Sequence, residues 1–184
     1  MLTLFHDYTD PASAVAVARL HRLSAEGLAV AFEGFEAIGL DVTLPVGVEV
    51  LAALERLAPL AADEGIVLHR PLACPPTARA HLLGAVAESA GLGTSWRTAC
   101  YRAYWRDALD LADPEVLARL GSGVGLAVAT VAGAVRNTAA VAAWRRSMTA
   151  HRRQGVGGVP TILAARTLVP GLLPDADLRA LAWL

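Results

Sequence analysis

The sequence predicts an α/β fold, and three observations carry that prediction. The chain opens as strand, helix, strand. It closes as two short strands and a helix. Between them lies a long stretch whose apolar spacing is almost wholly helical. Neither end has enough strands to be stable alone, so the two ends must share one sheet.

The first strand is Leu2-Thr3-Leu4-Phe5-His6. A helix follows from Pro11 to Leu23, with Val15, Ala18, Leu20 and Leu23 on its apolar side. Asp10-Pro11 is a strong start signal. Asp accepts from exposed helix N–H groups, and Pro loses nothing at the first helical position. Gly27 closes this helix, and the apolar run Leu28–Phe35 reads as the second strand. Two strands joined through one helix make a right-handed parallel βαβ unit. Next come a helix over Val48–Leu57, perturbed at Pro59, and an extended piece over Gly65–His69. Pro71, Pro75 and Pro76 mark a boundary.

Five helices are then expected: Thr77–Ala90, Ser95–Leu111, Pro114–Leu120 ending at Gly121, Val124–Val135, and one from an Asn137 cap to Gln154 with Gly155 beyond it. After the turn Val156–Thr161, the runs Ile162–Ala165 and Thr167–Val169 form a hairpin. A last helix runs from Pro174 to Leu184. The sheet domain is therefore expected at 1–70 and 155–184, with a helical insertion at 71–154.

Composition narrows the chemistry. The chain has 184 residues, 55% of them hydrophobic, and a formal net charge of -1. That balance gives no cationic footprint for nucleic acid or a membrane surface. All 16 basic residues are Arg, so a Lys Schiff base is excluded. The longest strongly apolar stretch, Val124–Val135, is too short to span a bilayer. Met1–Asp10 has no targeting character, and the chain reads as cytoplasmic. Two cysteines, Cys74 and Cys100, make no C-x-x-C, so neither an adjacent dithiol nor a Cys-pair zinc site exists. The histidines lack metal-ligand spacing, and no metal is expected.

Four segments together resemble the DsbA family of thioredoxin-like proteins, in its FrnE-like and 2-hydroxychromene-2-carboxylate isomerase-like branch, which is related to kappa-class glutathione transferases. Phe5–Ser13 resembles that family's strand-to-helix active turn. Pro76-Thr77-Ala78-Arg79-Ala80-His81 resembles its Asn-Thr-x-x-Ala-His segment. Gly155–Thr161 resembles its cis-proline loop, and Gly171 with the Pro174 helix resembles its C-terminal end. The resemblance implies a thioredoxin-like fold with a helical insertion. Redox members carry Cys-Pro-x-Cys at the turn, and isomerase or transferase members commonly carry Ser-Pro-x-x. This chain has Asp10-Pro11-Ala12-Ser13.

The candidate catalytic residues are accordingly Asp10 and Ser13, and the candidate ligand-binding residues are Pro11, Val159, Pro160 and Thr161. A helix start that stabilises a thiolate also stabilises a carboxylate. Asp10 is then either a general base toward a bound thiol or acidic C–H, or simply an N-cap. Ser13 bonds either a ligand sulfur or its own helix backbone. Pro160 is the residue expected to be cis, which leaves Val159 free to pair with an extended ligand or serves the turn alone. Thr161 supplies a hydroxyl or packs as a strand residue. The basic run Arg145-Arg146 and His151-Arg152-Arg153 either draws anions to the cleft or forms a solvated helix face. Three functions stay open. One is an oxidoreductase-class family member without its dithiol, binding a thiol or peptide-like ligand. The second is a glutathione-dependent isomerase or transferase, and the third is a non-catalytic binding or chaperone-like module. Glutathione is the one cofactor the resemblance suggests, and the oligomeric state stays open, a homodimer included.

Overall fold

A computed structural model describes residues 1–183. Four strands form one mixed sheet in the order β2-β1-β3-β4. They are β1 (Leu2–His6), β2 (Val30–Gly34), β3 (Thr161–Ala164) and β4 (Thr167–Pro170). β1 runs parallel to β2, with Leu2 opposite Val30 and His6 opposite Gly34. β1 runs antiparallel to β3, with Phe5 opposite Thr161. The two ends of the chain do share one sheet, and the α/β reading holds.

Helix α1 (Pro11–Ala25) begins as the sequence indicates. Asp10 has an extended backbone and its carboxylate accepts the Ser13 N–H, with Pro11 at the first helical position. Helix α2 (Val48–Asp63) differs from expectation, because Pro59 lies inside it. Pro59 and Glu55, whose carbonyl loses its partner, both face solvent, so water satisfies the freed oxygen. Leu57 and Ala61, on either side of the proline, pack on Val15 of α1 and hold the helix through it. The 65–69 piece is extended but joins no sheet. Its Ile66 N–H returns to Ala61 O, and its His69 N–H binds Trp105 O.

Helices α3 (Ala78–Ser89), α4 (Gly93–Trp105), α5 (Pro114–Gly123), α6 (Val128–Arg136) and α7 (Thr138–Arg153) follow in succession. α4 stops at Trp105 rather than Leu111, because Ala108 turns to a φ of 51° and Leu109 N–H reaches back to Ala103 O. α5 continues through Gly121 to Gly123 and is closed by Gly125, whose φ of 94° lets Leu126 N–H reach Gly121 O. That turn consumes residues 124–127 and delays α6 to Val128. Asn137 caps α7 as expected, accepting the Ala140 N–H. Helix α8 (Asp175–Leu181) is shorter than the Pro174–Leu184 reading. Leu184 lies outside the described residues.

One apolar core runs from the inner face of β1 (Leu2, Leu4) through α1 (Val17, Leu20) into α3 and α4 (Leu83, Trp96, Trp105). On the opposite face of the sheet, Phe5, Phe35, Met148 and Val156 form a second cluster beneath α7. The helices thus clamp the end of the sheet where β1 stops.

Candidate functional site

The strand register builds the site. β1 ends at His6, directly before the turn leading to Asp10, and β3 begins at Thr161, directly after Pro160. Because these strands are antiparallel with Phe5 opposite Thr161, the Asp10 turn and the Pro160 loop lie at the same end of the sheet. The end of β2 joins them, with Phe35 N–H donating to His6 O at 2.8 Å.

Asp10 is mostly buried. Its Oδ2 accepts the Ser13 N–H at 2.6 Å. Burial pushes its carboxyl up from 3.8 to about 6, against the Ser13 and Ala12 hydrogen bonds that favour the anion. Ser13 is fully buried, and its Oγ accepts the Asp7 N–H at 3.4 Å. It bonds the preceding turn, not its own helix. Pro11 is also buried.

The Val159–Pro160 peptide bond is cis. Pro160 O accepts from Gly171 N–H at 2.8 Å, which ties the loop to the end of β4. The Thr161 hydroxyl is buried and donates to Gly158 O at 2.7 Å, so it closes the loop. Val159 is half-buried, and its N–H and C=O make no hydrogen bond among the described residues.

Sequence reasoning missed the centre of this region, Asp7. Its side chain is 1% exposed. Oδ1 accepts from the Thr77 hydroxyl at 2.7 Å and stands 3.4 Å from His81 Nε2. Oδ2 accepts the Ala37 N–H at 2.8 Å. Burial alone would raise this carboxyl, but His81, the Ala37 N–H and the Thr77 hydroxyl outweigh it and hold it below 3.8. Thr77, the N-cap residue of α3, turns its hydroxyl to Asp7 and makes no side-chain cap bond to the helix. Glu36 takes over that role, accepting the N–H groups of Thr77 and Ala78 at 2.9 and 3.2 Å. Arg145 Nε in turn donates to Glu36 at 3.0 Å, and Arg152 donates to Glu36 O at 2.8 Å. Two arginines of the basic run therefore fasten α7 to the 36–37 segment, beyond what a solvated face would do. One signal was available: Thr77 and His81 are four apart and so share a helix face.

His6 is 2% exposed. One side of its ring is bonded, with Nδ1 at 2.9 Å from the Tyr101 hydroxyl. Cys74 and Cys100 are both buried. Burial pushes the Cys100 thiol well up, so Cys100 is not an activated thiolate. Among the described residues, no three His, Cys, Asp or Glu side chains stand together as metal ligands.

Fold and site together define a thioredoxin-fold protein whose active-turn positions hold a carboxylate and a buried serine. The chain belongs to the DSBA-like thioredoxin domain family, whose model matches residues 1–180. Solved structures agree on the fold. A probable DsbA oxidoreductase from Streptomyces coelicolor is 24% identical, with a TM-score of 0.83 over 99% of this chain and 89% of that one. A 2-hydroxychromene-2-carboxylate isomerase is 17% identical, with a TM-score of 0.80 over 97% of this chain and 92% of that one. The cytosolic disulfide reductase DsbM from Pseudomonas aeruginosa, solved with GSH, is 23% identical, with a TM-score of 0.70 over 97% and 95%. No curated protein matches the chain significantly. Among the described residues no helix is long and apolar enough to cross a membrane.

Proposed function

We propose that this protein binds a small thiol or peptide-like ligand along the Val159–Pro160 loop, beside Asp10, and does not perform dithiol–disulfide exchange. The observation that carries this reading is the unpaired backbone of Val159, at the same end of the sheet as the Asp10 turn. An extended ligand gains two backbone hydrogen bonds there without displacing any. Exchange chemistry needs sulfur on both sides. Asp10 supplies none, and both thiols are buried.

A second reading, a glutathione-dependent isomerase or transferase, draws support from Asp10 alone. A carboxyl near 6 exchanges protons close to neutral pH and suits a general base toward a ligand S–H or acidic C–H. Ser13 contributes from within the turn: its Oγ accepts the Asp7 N–H, and its side chain favours the Asp10 anion by a hydrogen bond. The proposed setting is the cytoplasm, consistent with unpaired thiols.

Calorimetric titration with glutathione to millimolar concentration tests both readings. Saturable binding to the wild type, weakened in Val159→Pro and Asp10→Ala, is expected. No heat at millimolar glutathione overturns glutathione as the ligand. Disulfide reductase activity that survives in wild type and disappears in a Cys74→Ala, Cys100→Ala double variant overturns the absence of dithiol chemistry.

A further inference from the structure

A cavity of about 260 Å³ opens beside the edge strand β2, walled in part by His6, Tyr8, Phe32, His81, Gly84 and Trp144. It reaches Tyr8 in the turn before Asp10, but Asp10, Ser13 and the Val159–Pro160 loop are not among its lining residues. Its polar lining comprises His6, Glu33, His81, Glu88, Ser89 and Arg97, and of these His6 has a proton position fixed by its neighbours. The Tyr101 hydroxyl has one proton and donates it to Asp7 O at 3.0 Å. The 2.9 Å contact between His6 and that hydroxyl then requires His6 Nδ1–H to donate. A neutral imidazole so arranged has a bare lone pair at Nε2. Burial, and then the charges of His81, Arg97 and His21, hold the ring neutral. Nε2 has no hydrogen-bond partner among the described residues, although the side chain is 2% exposed and lines the cavity. A lone pair that opens on the cavity accepts from whatever donor enters, water or ligand.

The rim decides the charge of what enters. Arg97 is held by Glu88 at 2.5 Å and by His21 at 3.1 Å, and lies over the Phe32 ring at 4.0 Å. Glu33 faces His151 at 3.8 Å. The one cation of the lining, Arg97, is thus already paired, and the rim offers an entering anion no free positive charge. The walls are flat: His81 is stacked between Tyr8, at 4.5 Å between ring centroids, and Trp144, at 5.2 Å. Aromatic walls, the absence of a free cation on the rim and the open His6 Nε2 lone pair define a complementary ligand.

We propose that this cavity binds a small neutral aromatic molecule bearing a hydrogen-bond donor, with phenol the simplest member of the class, its O–H donated to His6 Nε2. The site is separate from the proposed thiol cleft, so either can fail without the other.

The test is an NMR titration of the ¹⁵N-labelled protein, reading the His6 ring nitrogens, with phenol and with anisole as a donor-free control. Ala85, exposed at the cavity wall, takes an Ala85→Trp substitution that fills the mouth and leaves the folded spectrum intact. The expected result is a saturable shift of His6 Nε2 with phenol, about five- to tenfold weaker binding of anisole, and loss of both in Ala85→Trp. Any of three results overturns the proposal: no saturable His6 response to phenol, equal affinity for anisole, or unchanged binding in Ala85→Trp.

Discussion

Asp10→Asn should stabilise the ligand-free protein above pH 6. Asn is as good an N-cap as Asp, and its side-chain oxygen accepts the same Ser13 N–H, now 2.6 Å from Asp10 Oδ2. The substitution removes only the charge. Burial raises the Asp10 carboxyl from 3.8 to about 6, so the folded state holds this proton more tightly than the unfolded chain does. Below pH 3.8 the carboxyl is protonated in both states and no penalty exists. As pH rises toward 6, the unfolded chain ionises first and stability falls; above 6 the penalty is complete. At about 1.36 kcal/mol per tenfold, the penalty is roughly 2–3 kcal/mol, the lower end allowing for solvent screening. Other groups change over neighbouring pH ranges. His6 lies well below 6.5 and His21 at about 4, both through burial first, so their contributions are lost as pH falls below 6.5. Subtracting the variant from the wild type cancels them. The assay is urea unfolding of both proteins from pH 4 to pH 8. The difference should be small at pH 4 and should grow to roughly 2–3 kcal/mol in favour of Asn by pH 7.5. A difference that is flat with pH, or that favours Asp at pH 7.5, refutes the reasoning.

Thr77→Val keeps the shape but removes the 2.7 Å donor to Asp7, leaving a buried carboxylate short of one partner; a loss of about 1.5–3 kcal/mol in urea unfolding is expected. Gly34→Ala would place a methyl against the His81 ring, 2.7 Å from Cγ. It should lower stability by about 1–3 kcal/mol and disturb the His81 ring signals in NMR. Both thiols, being buried, should resist an aromatic disulfide reagent in the native protein and react fully in denaturant; fast native labelling of either would contradict the packing described for it.

The candidate site was legible in the sequence where its chemistry is local. Asp10-Pro11 announces a capped helix because a cap needs only its own three following residues. Asp7 was illegible, because its partners Ala37, Thr77 and His81 lie 30 to 74 positions away. Ser13 was visible as a residue but not in its direction, which is set by the turn at Asp7. Pro59 reads as a helix breaker on local grounds, and only the burial of Leu57 and Ala61 against α1 shows why it is not.

By itself, the sequence determined the order of the elements, the helix starts at Asp10 and Asn137, and the absence of a dithiol. Those follow from backbone preferences, side-chain caps and residue identity, each acting within a few positions. Only the tertiary structure decided which buried groups meet. It converts Thr77 from an expected helix start into a ligand of Asp7. It hands the capping of α3 to Glu36 and leaves His6 with one nitrogen bonded and the other facing a cavity. Those outcomes depend on the sheet register and on helix packing, which bring distant residues within hydrogen-bond reach and remove the water that would otherwise satisfy them.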